Sequence, residues 1–319
     1  MSMQEHKDWV KPLDDSLYAP DDDEKAFLKA ATEIEDDEEL KRHILSVQTK
    51  AFSLHQYPCI RIFEFTKLKM ARLPAYPALL QLGRERPGAI FVDLGCCCAP
   101  PSLCHTPACA DITSSRLIAV GNDVRKAVLD GYPPENILGV DVSKDLWDLG
   151  HEMFRSTPAS FPVAFLAGDA LSSSFLSPSL PLSIPSPPAL STLTSLNPLK
   201  GHVSALFTGA FFHLFTYPQQ TALAHTLASL LAGHPGALLF GVQGGRPARE
   251  LWKPTGSARE MHCHSPESWR QMWEGAFAGR AEVEVRARLR KEGGGDSLFG
   301  TYPLNKDPYQ VLEWSVKLL

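Results

Sequence analysis

Along this chain, short apolar runs ending at an acid or a glycine alternate with stretches whose apolar residues recur at helical spacing. The first run, Ala89–Leu94, carries Asp93 and enters Gly95; the second, Asn136–Val142, has Asp141 near its end; the third, Phe161–Ala167, is followed by Gly168 and Asp169. Val203–Thr208 and Ala237–Gln243 are the fourth and fifth, and all five read as strands. Between them, Asp123–Asp130 is predicted to be a helix closed by Gly131 and the Pro133–Pro134 pair. Lys144–Phe154 is an amphipathic helix, and Pro218–Leu231 is one with proline in its first turn. Ser265, with Glu267 two positions on, opens a further helix through Trp273. The period then changes to two, in Glu282–Leu289 and Val311–Leu318, with a turn at Gly293–Gly295 between them.

Five strands alternating with helices, then two strands in succession, predict an α/β fold: a mostly parallel, Rossmann-like seven-stranded sheet ending in an antiparallel hairpin. Asp23–Leu54 and Ile60–Leu80 carry helical spacing ahead of the first strand and predict an N-terminal helical flank over residues 23–85. Residues 1–22 read as a disordered acidic lead-in, and 23–319 as one domain. Two segments interrupt the pattern. Residues 98–119, rich in Cys, Pro, Ser and Thr, have no period of their own. Residues 171–198 are a Ser/Pro/Leu-rich tract that reads as a loop.

Composition narrows the partners. A net charge of −5 and a pI near 6.1, with no basic stripe, argue against nucleic acid. No apolar run reaches the ~20 residues needed to span a bilayer, and the expected location is cytoplasmic. The seven cysteines are irregularly spaced and are expected to be reduced thiols. Cys98, Cys104, His105 and Cys109 lack paired Cys-x-x-Cys spacing, so no metal site is expected.

The chemistry follows from where such sheets bind ligands, in the crevice beyond the carboxyl ends of the strands. Gly95 lets the chain turn closely past a ligand. Asp93 can hold loop amides or a ligand's ammonium, Asp141 two ribose hydroxyls, and Asp169 an adenine amino group. A single carboxylate at a strand end often only caps a helix or closes a turn. Three on successive strands, in that order, favour a nucleoside ligand. Gly95 and Asp141 are 46 positions apart; without the 22 residues of the interruption the interval is 24, near the ~20 expected between glycine turn and ribose acid. Joining Cys97 to Val120 likewise restores one phrase, DLGCCVGNDVRK.

That phrase, with DGYPPENILGVDV, DLWDLGHEMF, AFFHLFTYPQQ, FGVQGGR and MHCHSPESWRQMW, resembles a fungal family of class I S-adenosylmethionine-dependent methyltransferases. Its relatives include the carboxyl O-methyltransferases of meroterpenoid biosynthesis. The resemblance implies a class I methyltransferase fold, S-adenosylmethionine as cofactor and a small-molecule, secondary-metabolite acceptor methylated on oxygen, a carboxylate foremost. It carries over Asp93, Gly95, Gly121, Asp123, Asp141 and Asp169 as cofactor contacts, with Phe211, Phe212 and His213 as the wall between cofactor and acceptor. A carboxylate acceptor needs no base; for a phenol or alcohol, His213 is the first candidate, its other reading being a residue packed into the wall. His262 and His264 are further candidates for acceptor contacts. Two other functions stay open: an inactive relative disabled by residues 98–119, whether a long loop or a retained intron, and a nicotinamide oxidoreductase. The latter is disfavoured by the absence of an intact G-x-G-x-x-G and by the C-terminal hairpin.

Overall fold

The computed structural model describes residues 12–56, 58–96, 120–178, 186–253, 260–291 and 310–319. The helices of the N-terminal flank are α1 (Asp22–Thr32), α2 (Asp37–Leu54), the single turn α3 (Pro58–Arg61) and α4 (Tyr76–Glu85). There follow β1 (Ile90–Leu94), α5 (Asn122–Leu129), β2 (Ile137–Asp141), α6 (Lys144–Met153), β3 (Ala164–Ala167) and β4 (Val203–Gly209). The chain then forms α7 (Tyr217–Ala228), β5 (Leu238–Gly244), β6 (Glu250–Trp252), β7 (Met261–Cys263), α8 (Pro266–Phe277), β8 (Val283–Lys291) and β9 (Gln310–Leu318).

Seven strands form one sheet in the order β3-β2-β1-β4-β5-β9-β8. The first five are parallel, and β9 runs antiparallel between β5 and β8. All residues of β1, β2 and β5 are buried, as a sheet covered on both faces demands. One face carries Phe91, Ile137, Phe207, Phe240 and Val242 against the flank, α5 and α6. The other carries Val92, Leu138, Val140, Leu206 and Leu239 against α7 and α8. The edge strand β8 is studded with Arg286, Arg288 and Arg290, the last two bonded to the buried Glu313 at 2.7 and 3.1 Å, which blunts the edge against further pairing.

Three local expectations need correction. The spacing over Asp23–Leu54 is two helices, because Glu33 turns to φ +57° and closes α1 while Asp36 starts α2 by accepting from the Glu39 amide at 2.8 Å. The region Ile60–Leu80 is broken into α3, two single 3₁₀ turns (Glu64–Thr66, Met70–Arg72) and α4, the first break falling where Phe63 adopts φ +57°. The acidic lead-in expected to be disordered over residues 1–22 is structured at Asp15–Leu17, a single 3₁₀ turn. Glu24 is fully buried, paired with Lys67 at 2.8 Å and Arg72 at 3.1 Å, and Asp14 meets Arg61 at 3.3 Å. Residues 1–11 of the expected lead-in lie outside the described residues.

The tract 171–198 is a loop by secondary structure but a core element by packing. Phe175, Leu176, Leu190 and Leu196 are buried with the second face of the sheet, and the Leu196 amide donates to the Phe175 carbonyl at 2.9 Å. Burying several such side chains is worth roughly 1.5–3 kcal/mol each, which ties down the described parts of the tract, whose regular structure is two single 3₁₀ turns, Leu190–Thr192 and Asn197–Leu199.

Candidate cofactor and acceptor site

Strand order reverses between β1 and β4, so the ligand crevice lies beyond the carboxyl ends of these strands. Gly95 leaves β1 at φ +84°, its amide donating to the Val140 carbonyl at 2.8 Å. A Cβ there would stand 3.0 Å from Cδ2 of Phe211, so glycine serves both the left-handed turn and the close approach of that ring. Gly121, at φ +74°, is the N-cap of α5.

The two sides of the sequence interruption meet in space around Trp147. A Cβ on Gly121 would lie 2.9 Å from Cζ3 of Trp147; one on Gly139 would lie 2.9 Å from the same atom and 3.3 Å from the Cys96 sulfur. Val120 and Cys96 are both buried in the same core cluster as this indole. Glycine at 139, bare of a side chain in the middle of β2, is what admits Trp147 to the junction. Residues 98–119 themselves lie outside the described residues.

The carboxylates gather as their strand positions dictate. Asp93 pairs in register with Gly139, and Asp141 stands two residues further along β2 on the same face. Asp93 is 2% exposed, and burial, then the charges of Asp123 and Asp141, hold its carboxyl well above the usual carboxylate range, with Lys69 opposing. Asp141, 5% exposed, accepts from the Ser143 amide at 3.0 Å, which fixes the turn into α6. Asp169 is exposed at the tip of β3 and accepts from the Leu171 amide at 2.9 Å. The three acids thus sit on adjacent strands in the expected order.

Asp123 also holds the backbone of the flank. Its Oδ1 accepts from the backbone amides of Met70 at 2.9 Å and Lys69 at 3.2 Å, stapling the N-terminal flank to the first turn of α5. Burial raises its pKa, and the Lys69 charge opposes the rise. Phe212 is fully buried, and its ring lies 5.0 Å from Trp269, 5.8 Å from Trp273 and 6.1 Å from Trp314. Phe211 keeps the place at Gly95.

His213 is 2% exposed, and its Nδ1 accepts from the Gly244 amide at 3.0 Å. That bond fixes the neutral ring as the Nε2–H tautomer and commits its one basic lone pair to the backbone. The same bond pins the β4–α7 loop to the end of β5. His262 and His264 flank Tyr217 edge-on, with ring centroids 4.9 and 5.3 Å away, and Tyr217 Oη donates to the Cys263 carbonyl at 3.1 Å. Burial, then the charge of Arg249, brings His264 down to about 4.

Residues the sequence reading passed over include Lys69, Trp147 and Gln243. The DLWDLGHEMF phrase held Trp147 in plain view, but nothing in its spacing shows which helix closes the glycine turn. Among the described residues no group of three or more His, Cys, Asp or Glu could hold a metal, and no helix is long and apolar enough to cross a membrane.

The arrangement fits a cationic nucleoside. Two left-handed glycines leave the backbone open, and an acid pair dominated by the buried Asp93 is relieved by a positive charge beside it. The profile of a family described as "Meroterpenoid methyltransferase N-terminal domain" matches residues 10–66. The O-methyltransferase phiE of Fungal sp. (strain ATCC 74256) is 28% identical over 255 residues, 78% of this chain and 70% of that protein. The O-methyltransferase atr3 of Stereocaulon alpinum is 29% identical over 280 residues, 86% of this chain and 68% of that protein. The methyltransferase nvfJ of Aspergillus novofumigatus (strain IBT 16806), named for asnovolin E and chermesin D, is 27% identical over 255 residues, covering 80% and 74%. With the sheet order and the glycine junction, these likenesses show a class I, S-adenosylmethionine-dependent methyltransferase that is similar to the fungal meroterpenoid-related methyltransferases.

Proposed function

We propose that the chain transfers a methyl group from S-adenosylmethionine to an oxygen of a small-molecule acceptor, a carboxylate foremost. When bound, the cofactor supplies an electrophilic methyl on a sulfonium. Gly95 and Gly121 would line the turn against it, Asp141 would accept from the ribose hydroxyls, Asp93 would face the ammonium and Asp169 the adenine amino group. Phe211, held against Gly95, would exclude water from the line of displacement, where alignment supplies most of the rate.

The observation that carries the choice of acceptor is the bond from the Gly244 amide to His213 Nδ1. With that lone pair committed, and His264 too weakly basic at about 4 to deprotonate an alcohol at neutral pH, the site favours an acceptor that arrives already ionised. A carboxylate does. The names of phiE and atr3, both O-methyltransferases, agree with oxygen as the receiving atom. The convergence of Cys96 and Gly121 on Trp147 supports a competent glycine turn and gives no support to an inactive scaffold.

The test is transfer from methyl-labelled S-adenosylmethionine to a panel of aromatic and terpenoid acids and their hydroxyl counterparts. Label released as methanol on mild alkaline hydrolysis identifies an ester. Alkali-stable label on the hydroxyl compounds alone would overturn the carboxylate reading.

A further inference from the structure

On the second face of the sheet, the end of β5 holds a polar group with no partner. Gln243 is 1% exposed, yet neither Oε1 nor Nε2 of its carboxamide has a hydrogen-bond partner. A buried amide left open at both ends is costly, and such a group calls for an explanation by ligand or ordered water.

Its neighbours on that face are glycines. Gly241 and Gly245 lie two residues to either side and share its face. A Cβ on Gly241 would lie 2.8 Å from Cζ2 of Trp314, so that indole leans over Gly241. Gly245 forms a parallel bridge with His264, which places the His264 side chain on the same face, diagonal to Gln243. Gln243 therefore lies between Trp314 and His264 along this face, with Leu312 opposite it in register.

The orphaned atoms converge there. His264 is 3% exposed; its Nδ1 meets Ser268 Oγ at 2.9 Å, and its Nε2 has no partner. Trp269, whose ring lies 5.4 Å from His264 and 5.0 Å from Trp314, has an unpartnered indole N–H, and so has Trp314. The two indole N–H groups and the Gln243 amide N–H₂ are donors without partners, so the cluster is rich in donors. The chain links it to the reaction crevice: Phe212 packs on Trp269, and the preceding Phe211 lies against Gly95. The segment bearing His264 is held over it by the bonds of Tyr217 Oη to the Cys263 carbonyl and of Gln220 Nε2 to the His262 carbonyl, at 3.1 and 2.9 Å.

We propose that Gln243, His264 and Trp269 anchor an oxygen-bearing group, a carboxylate or carbonyl, of the methyl acceptor, with Gln243 as the specificity-determining residue. The assignment rests on the methyltransferase reading above and adds the subsite by which an oxygenated acceptor is told from an apolar one. Discrimination is strong at such a place, because a ligand without the oxygen leaves the buried donors unpaired.

The experiment titrates the full chain with benzoate and, as an apolar match, toluene, read by saturation-transfer NMR, with and without S-adenosylhomocysteine. The expected result is binding of benzoate that weakens tenfold or more in Gln243→Leu and in Gln243→Glu, with toluene binding and S-adenosylhomocysteine affinity within twofold of wild type. Thermal melting of Gln243→Leu is expected to match or exceed wild type, since an unpaired amide is removed. Benzoate binding that is absent, or unchanged in both variants, while S-adenosylhomocysteine still binds overturns the subsite alone. A lowered melting temperature with benzoate binding unchanged also overturns it and assigns the amide to a permanent buried water. Failure of S-adenosylhomocysteine to bind wild type overturns the methyltransferase reading instead.

Discussion

Excising residues 98–119 is expected to stabilise the protein and leave its cofactor affinity intact. The reason lies in the junction: Gly121 and Gly139 both close on Trp147, and Gly139 lies beside the Cys96 sulfur, so the two sides of the interruption flank one indole. Closing a loop costs about (3/2)RT ln n, and shortening this one from over twenty residues to a few recovers about 1–2 kcal/mol. For a chain of this size that corresponds to roughly 2–4 °C in melting temperature. The assay is differential scanning fluorimetry of both forms, paired with S-adenosylhomocysteine titration. Every described residue assigned to the cofactor is retained, so affinities within threefold are expected. A shortened chain that melts lower, or fails to fold, would refute the reasoning by showing that the segment belongs to the core. Binding by the shortened form alone would show that the segment blocks the crevice.

Three further outcomes follow from other residues. Asp123→Ala strands the Lys69 and Met70 amides in the interior and should cost about 2–4 kcal/mol by urea denaturation; a change under 1 kcal/mol would mean the flank is not stapled through this carboxylate. Burial lowers the pKa of His264 to about 4 from 6.5, so its contribution is fully present above pH 6.5 and is lost as pH falls toward 4; stability should drop by roughly 3 kcal/mol over that window, and His264→Gln should flatten the drop. Gly95→Ala forces a side chain into φ +84° and against Phe211 and should cost about 1–2 kcal/mol of stability together with at least tenfold in S-adenosylhomocysteine affinity; wild-type affinity would mean the turn does not approach the cofactor.

Much of the frame is legible in the sequence because buried parallel strands leave dense signals. Ala89–Leu94, Asn136–Val142 and Ala237–Gln243 each stand within one or two residues of the observed strand, and the switch to period two announced the β9–β8 edge. Acids at the strand ends were readable for the same reason. Missing were features set by tertiary context. Nothing in the sequence around Glu24 marks it for burial, and only the return of Lys67 and Arg72 from another part of the flank buries it. The Leu171–Pro198 tract has no period, yet Phe175 and Leu196 pack into the core through irregular backbone. The ribbon β6–β7 has three residues per strand, too few for alternation to register. His213 shows the limit for chemistry: sequence marks a histidine at the crevice, but only the Gly244 amide tells which nitrogen is committed.

The most direct test of the central claim is isothermal titration of S-adenosylmethionine into the full chain and into Asp141→Ala. The account predicts one site per chain in the wild type and affinity lowered tenfold or more in the variant, since a buried carboxylate bonded to two hydroxyls is worth about 1.5–3 kcal/mol. No heat of binding in the wild type, or equal affinity in the two proteins, would contradict it.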